Sequence, residues 1–228
     1  MQERVWENEY KKPTLVTMGT EPQVAVKDFL RWLRRDQKIP LENLNVLDLG
    51  CGNGKNANYI GGLDSTNEVT GIDISDTALS HARTYAPSTK NVTYLKQSIG
   101  ETLPFTDGTF SVALDVTSSN SLNEKERATF LKETSRVLKP KSFFFVRALC
   151  KDGDANAKTL LKTNPGPEKD TYIMPEFGLV ERVFSKEDFI ATYSPLFTIL
   201  KLEKETHYTK FSGRLYKRNF WIGYLQKV

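Results

Sequence analysis

The spacing of apolar positions changes along the chain, and each change marks an element. Ala25, Phe29, Trp32 and Leu33 recur at i, i+4, i+7 and i+8, so residues 21–36 read as an amphipathic helix with Pro22 in its first turn. The run VLDL at 46–49 is a short branched apolar stretch that ends in glycines at every second position, Gly50, Gly52 and Gly54. That pattern predicts a buried strand entering a sharp turn. A helix follows over 55–63, then a second strand over 69–74 that carries Asp73 near its end. Strands and helices continue to alternate: a helix over 76–86 capped by Ser75, a strand over 91–96, a strand over 109–115, a helix over 124–138, and a strand over 141–148 after a stop at Pro140. Alternation of this kind predicts an α/β fold built on a doubly wound parallel sheet. Further on, Ser185-Lys186-Glu187-Asp188 opens a helix bearing Phe189, Ile190 and Tyr193. Two strands close the chain, over 197–203 and 216–226, the second nearly continuous in apolar residues as a buried strand is.

Two segments show no clean period. Residues 1–20 set Trp6, Tyr10 and Met18 among charges, and read as a loop or short helix that closes over something. Residues 151–183 are rich in Asp, Gly, Asn, Lys and Pro around Asn164-Pro165-Gly166-Pro167. A loop that long inside a compact domain is usually functional, and it is expected to be a lid that selects substrate. With 228 residues the chain reads as one domain, 1–228. It divides into an N-terminal arm and helix (1–44), a ligand-binding core (45–148), the lid (151–183) and a C-terminal helix with two strands (184–228).

The glycine turn carries the chemistry. Glycine takes positive φ and lets a ligand approach the backbone, so a strand running through G-x-G-x-G into a helix leaves free N–H groups at the helix start. An acid at the tip of the next strand, here Asp73, is placed to accept hydrogen bonds from ribose hydroxyls. The third glycine comes one residue earlier than in the dinucleotide pattern G-x-G-x-x-G. In the form VLDLGCGNG followed by GIDIS, the chain resembles the first two motifs of class I S-adenosylmethionine-dependent methyltransferases. The resemblance extends more loosely over 45–147 through LPFTDGTFSVALD and LKETSRVLKPKSFFFV, which look like later elements of the small single-domain branch, methyltransferase type 11-like.

That resemblance implies a Rossmann-like seven-stranded sheet, mostly parallel, with the last two strands forming a hairpin and the last strand antiparallel. It implies S-adenosylmethionine as cofactor, S-adenosylhomocysteine as product and no metal. By the same likeness the backbone of Gly50, Cys51, Gly52 and Gly54 contacts the methionine portion, Asp48 orients the turn and Asp73 takes the ribose diol. Ile74 suits one face of the adenine. Where the family often carries an acid for the adenine amino group this chain has Ile99, which leaves Ser98, Gln97 or the Ile99 backbone to serve. A second departure is Ser111, where Asp is common. The exit of the fourth strand, from Asp115 through Thr117 and Ser118 to Asn120, is where similar enzymes contact the methionine amino group and face the acceptor. Trp6 and Tyr10 would cover both ligands, and His207 and Tyr208, in the linker between the last two strands, are the candidates for a general base.

Composition narrows the rest. Hydrophobic residues make up 39% and charged ones 26%, an ordinary globular balance. The first twenty residues hold charges throughout, so neither a signal peptide nor a membrane anchor is expected and a cytoplasmic location follows. Two cysteines and two histidines, Cys51, Cys150, His81 and His207, are too few and too scattered for a disulfide framework or metal site. Net charge is +4, and the basic run Lys210, Arg214, Lys217 and Arg218 is diluted by Glu203 and Glu205, so it reads as a solvated rim. No Asn/Asp-Pro-Pro-Tyr signature is present, which disfavours an amino-directed DNA enzyme. The expected function is methyl transfer to a small polar or aromatic metabolite. Two alternatives stay open: an RNA (tRNA) methyltransferase, and a non-catalytic nucleoside-binding regulatory module.

Overall fold

The computed structural model describes residues 2–12, 19–86, 90–174, 178–211 and 214–228, with side chains for all of these except 209–211 and 214–216. The expectations attached to Met18 and to the side chains of Lys210, Phe211, Arg214 and Tyr216 lie outside the described residues. The chain opens with a helix, α1 (Gln2–Lys11), and continues with α2 (Val24–Arg35). The strand–helix alternation then runs β1 (Asn45–Leu49), α3 (Lys55–Leu63), β2 (Glu68–Asp73), α4 (Asp76–Thr84), β3 (Val92–Lys96), β4 (Phe110–Val116), α5 (Glu124–Val137) and β5 (Leu138–Leu149). After it come α6 (Ala155–Thr163), the short strands β6 (Thr171–Met174) and β7 (Leu179–Arg182), α7 (Lys186–Tyr193), and the long strands β8 (Phe197–Phe211) and β9 (Arg214–Lys227).

Seven strands form one sheet in the order β3-β2-β1-β4-β5-β9-β8. The first five are parallel neighbours, while β9 runs antiparallel to both β5 and β8. This is the expected Rossmann-like sheet with its antiparallel last strand. Strand order reverses between β2 and β4, so the carboxyl ends of β1, β2 and β4 open onto one crevice. Side chains alternate across the pleat: Val46, Leu114 and Phe145 join the core under α2 and α3, whereas their neighbours Leu47, Ala113 and Phe144 join Phe130 of α5 and Phe189 and Tyr193 of α7 on the other face. Burial on both faces is what makes these strands read as continuous apolar runs.

Several boundaries differ from the sequence reading, each for a local reason. Residues 151–183, expected as a loop, contain α6 and an antiparallel β6–β7 hairpin. Asp154 caps α6 by accepting from Ala157 N at 2.8 Å, and Tyr172 at its far side is fully buried. Tertiary packing, not local period, decides this segment. Pro140 does not precede a strand; β5 begins at Leu138 directly after α5, and the proline sits where the β4 register shifts and no ladder N–H is needed. The last hairpin is longer than its apolar runs, so His207 and Tyr208 lie within β8 rather than in a linker. Ser111 ties the strand starts together: Asn45 N donates to its Oγ at 3.0 Å, and that hydroxyl donates to Asn45 O at 3.1 Å.

Helix α2 supplies much of the cover on its face. Phe29 is fully buried with its ring centroid 5.3 Å from Phe145 and 5.1 Å from Tyr224. Replacing Phe29 with Ala opens a cavity between helix and sheet and is expected to cost about 3–5 kcal/mol, read as a lowered denaturant midpoint with an unchanged slope. A loss under about 1 kcal/mol would show that α2 contributes little to the fold.

Candidate functional site

At the end of β1 the chain turns through Gly50, Gly52 and Gly54, whose φ angles are 69°, 55° and 75°. A side chain at Gly50 would run into Ser118, and one at Gly52 into the Tyr10 hydroxyl. Backbone conformation and close approach thus both require glycine here. Asp73 locks the turn from the neighbouring strand. Its Oδ2 accepts from Gly52 N at 2.8 Å and its Oδ1 from Ser75 N at 2.9 Å, while Cys51 N donates to Ile72 O at 2.9 Å. The Ile74 backbone also donates to this carboxylate, and three donors do not exhaust its four lone pairs.

Three buried carboxylates, Asp48, Asp73 and Asp115, sit around this turn. Burial pushes Asp48 up to about 7, and the nearby charges of Asp73 and Asp115 push the same way, against a hydrogen bond from the Ala57 backbone and the charge of Lys55. Burial likewise raises Asp73 and Asp115. Asp115 faces inward and is well satisfied, by Ser118 N at 3.1 Å, Ser119 N at 3.2 Å and both serine hydroxyls. Ser118 Oγ also lies 2.6 Å from Leu49 O, so the β4 exit is fastened to the glycine turn. A cradle with this surplus of acid favours a ligand that brings positive charge. Burial also holds the Cys51 thiol well above its ordinary range, so it is a neutral wall rather than a nucleophile.

Helix α1 roofs the crevice. Gln2, Trp6 and Tyr10 follow at spacing four, hence on one helical face, and all three line the cavity. The opposite register carries Glu7, whose carboxylate accepts from the Ser75 hydroxyl at 2.7 Å, the Thr77 hydroxyl at 2.6 Å and Thr77 N at 3.2 Å. A carboxylate on the first turn of α4 is also favoured by the helix dipole. These bonds, the Thr77 hydroxyl first, hold Glu7 down at about 2. Lys96 adds a bridge to Glu3 at 2.9 Å, and Gln2 Nε2 donates to Ser121 O at 2.8 Å. The roof is pinned at both ends.

The far wall comes from the antiparallel strands. In the β5–β9–β8 ladder Leu149 pairs with Phe220 and Phe220 with Glu205, while Arg218 pairs with His207. By the period-two rule Arg147 and Leu149, Phe220 and Arg218, and Glu205 and His207 therefore share one face. The Arg147 guanidinium lies 3.4 Å from the Phe220 ring centroid, and His207 Nε2 is 2.9 Å from Glu205 Oε1. Arg218 donates to the Tyr172 hydroxyl at 2.6 Å, and that hydroxyl donates to Glu181 Oε2 at 2.5 Å.

All of this encloses one cavity of about 610 Å³, within the size range of small-ligand sites. Of the residues marked from sequence, Gly50, Cys51, Gly52, Asp73 and Ile74 line it, as do Ser98 and Ile99. Trp6, Tyr10, Thr117, Ser118, His207 and Tyr208 line it as well. Asp48, Gly54 and Asp115 stand behind the wall as turn-setting groups. The segment 151–183 contributes Asn156, Leu160, Met174 and Glu181, so its wall is helical and hairpin structure rather than loop. Sequence reading missed Arg147 and placed Arg218 on a solvated rim, whereas Arg218 is turned into the cavity and Lys217 is exposed. The alternation Arg147-x-Leu149 and Arg218-x-Phe220 was the available signal. Among the described residues no cluster of His, Cys, Asp or Glu has metal-site geometry, and no helix is long and apolar enough to cross a membrane.

The raised Asp48 has a consequence with a definite sign. Its folded value lies above the ordinary carboxylate value of 3.8, so the folded protein holds a proton that the unfolded chain releases, and stability is lost as pH rises from about 4 through about 7. Asp48→Asn mimics the protonated acid and should remove this component. Thermal denaturation at a series of pH values is expected to show the native chain losing ground to the variant across that window. Parallel curves would exclude Asp48 as a buried titrating group.

Comparison with known proteins places the chain in a family. Residues 46–141 match a family model described as a methyltransferase domain. The chain is 30% identical over 195 residues to a ubiquinone biosynthesis O-methyltransferase of Thiobacillus denitrificans, covering 78% of this chain and 79% of that protein. A shorter match, 31% over 106 residues, links it to a fatty-acid O-methyltransferase of Mycolicibacterium smegmatis and covers 46% of this chain and 36% of that one. Among solved structures, a SAM-dependent methyltransferase from Methanosarcina mazei superposes with a TM-score of 0.71 at 19% identity, over 91% of this chain and 99% of that one. The 1,6-didemethyltoxoflavin-N1-methyltransferase of Burkholderia thailandensis, with its substrate and S-adenosylhomocysteine bound, superposes at 0.71 and 15% identity, over 100% and 87%. The chain belongs to the class I S-adenosylmethionine-dependent methyltransferases.

Proposed function

We propose that this enzyme methylates a small polar or aromatic molecule held beneath α1, with the cofactor seated against the glycine turn. One observation carries the reading: a single roofed cavity runs from Gly50, Gly52 and Asp73 to His207 and Phe220. The residues present fit the cofactor. Turn glycines leave room for its backbone approach, Asp73 retains lone pairs for a ribose diol, and Ile74 and Ile99 offer apolar faces for adenine with Ser98 and Gln97 as its polar neighbours. The buried acids favour its positive charge. Bound S-adenosylmethionine supplies a sulfonium methyl, so that the acceptor lone pair bonds to the methyl carbon while the C–S bond breaks and its electron pair stays on sulfur.

The protein's part is then mainly to align two reactants and exclude water. Trp6, Tyr10 and Tyr208 close the space above them. His207 is the proton acceptor of this reading: its Nε2 lies 2.9 Å from Glu205 Oε1, and in the tautomer protonated there Nδ1 carries the lone pair that takes a hydroxyl or amine proton. The relatives and neighbours include both O- and N-methyltransferases, and both kinds of acceptor atom suit this arrangement.

Asp73→Asn should weaken S-adenosylhomocysteine binding by roughly 1.5–3 kcal/mol, the size of hydrogen bonds to a charged group. Isothermal calorimetry reads this directly, and equal affinity in the two proteins would remove Asp73 from the cofactor site. His207→Gln should lower kcat by about 10²–10⁴-fold with the calorimetric affinity unchanged. An unaltered kcat would leave the acceptor to lose its proton to solvent.

A further inference from the structure

Resting on that reading, the acceptor half of the cavity says more about what it holds. Arg147 is buried, with a side chain only 8% exposed, yet among the described residues none of its side-chain nitrogens has a hydrogen-bond partner within 3.5 Å. Its Nε is enclosed and unpartnered, and the nearest acidic oxygen, Glu205 Oε2, stands 3.8 Å away. The Nε of Arg218 is likewise enclosed and unpartnered, 3.8 Å from Asp154 Oδ2. A buried cation held by one acid at 3.8 Å and by no hydrogen bond is only partly compensated, and the Phe220 face under Arg147 adds only part of the remainder.

Two of the three neighbouring acids are committed elsewhere, and the third reaches Arg147 only at ion-pair distance. Asp154 accepts from Ala157 N and from Asn219 N, at 2.8 and 2.7 Å. Glu181 accepts from the Tyr172 hydroxyl, whereas Glu205 lies against His207 through Oε1 and leaves Oε2 without a hydrogen bond, at ion-pair distance from Arg147. The Arg147 fork therefore faces the cavity with its donors unspent, beside Phe220 and Leu149. Its place on the sheet sets what it can reach. Arg147 pairs with Val116 across the β4–β5 ladder, and its carbonyl accepts from Thr117 N at 2.8 Å, so it lies next to the β4 exit and on the His207 side of it. The glycine turn has its own cation, Lys55, at the start of α3.

We propose that the acceptor carries a carboxylate that Arg147 grips, with Arg218 behind it adding positive charge, and that the methylated atom is a different heteroatom of the same molecule. A planar guanidinium matches a carboxylate with two parallel hydrogen bonds. A carboxylate neutralised in this way is a poor nucleophile, so it anchors the molecule while a hydroxyl or an aromatic amine, uncharged at neutral pH, near Thr117 and His207 receives the methyl. Arg147 is a substrate-binding residue in this scheme, and the product stays an anion.

The test uses labelled S-adenosylmethionine and a low-molecular-weight extract of the source cells, with products separated by anion exchange at neutral pH. Label is expected in the retained, anionic fraction. Arg147→Met should lower that incorporation by roughly ten- to a hundredfold, Arg147→Lys should restore part of it, and both should bind S-adenosylhomocysteine within about twofold of the native protein. Label confined to the unretained fraction overturns the proposal, because a neutral acceptor or a methylated carboxylate leaves the column there. A loss of S-adenosylhomocysteine affinity in Arg147→Met that matches the loss of transfer also overturns it, by assigning the arginine to the cofactor carboxylate. If the native protein fails to bind S-adenosylhomocysteine at all, the cofactor reading falls instead.

Discussion

The carboxylate of Asp73 joins two turns that would otherwise be independent. By accepting from Gly52 N and Ser75 N it fixes the glycine turn after β1 to the start of α4 after β2. Those two turns are the floor of the cavity, and their positions relative to one another decide whether one ligand can touch both. Ser118 performs the same service from the other side, since its hydroxyl reaches both Leu49 O and Asp115. The carboxyl ends of β1, β2 and β4 thus become one surface. Its common feature is buried acid whose proton affinity desolvation raises, which costs stability in the empty protein and favours a cationic ligand when one enters.

Around that floor the fold adds two covers by different physical means. Helix α1 has little buried apolar surface of its own and is held by charge and hydrogen bonding, chiefly Glu7 at the amino end of α4. Such contacts orient a helix without a large core behind it. The antiparallel strands act through rigidity. Each position of the β8–β9 hairpin is set by its ladder, so His207, Arg218, Glu205 and Phe220 are presented to the cavity at fixed spacing.

The half of the cavity around the glycine turn was legible because it is built from local sequence. VLDLGCGNG and GIDIS each encode a strand end and its turn within a few residues, and positive φ at three positions leaves glycine as the residue that fits without strain. The amphipathic period of α2, the caps at Ser75 and Ser185, and the alternation of strands and helices are equally local. They determined the α/β class, the order of the elements and the place of Asp73.

Tertiary structure alone decided the acceptor half. Arg147 and Arg218 stand 71 positions apart and belong to strands that meet only in the β5–β9 ladder, so no window of sequence contains both. Arg218 lies in a run of cations that looks solvent-exposed until the hairpin register turns alternate residues inward. Residues 151–183 read as irregular because α6, β6 and β7 are each too short to stand alone, and they become regular only against Tyr172, Phe184 and the β9 backbone. The sequence by itself determined the glycine turn and the acid that locks it; pairing between distant strands determined what faces them across the cavity.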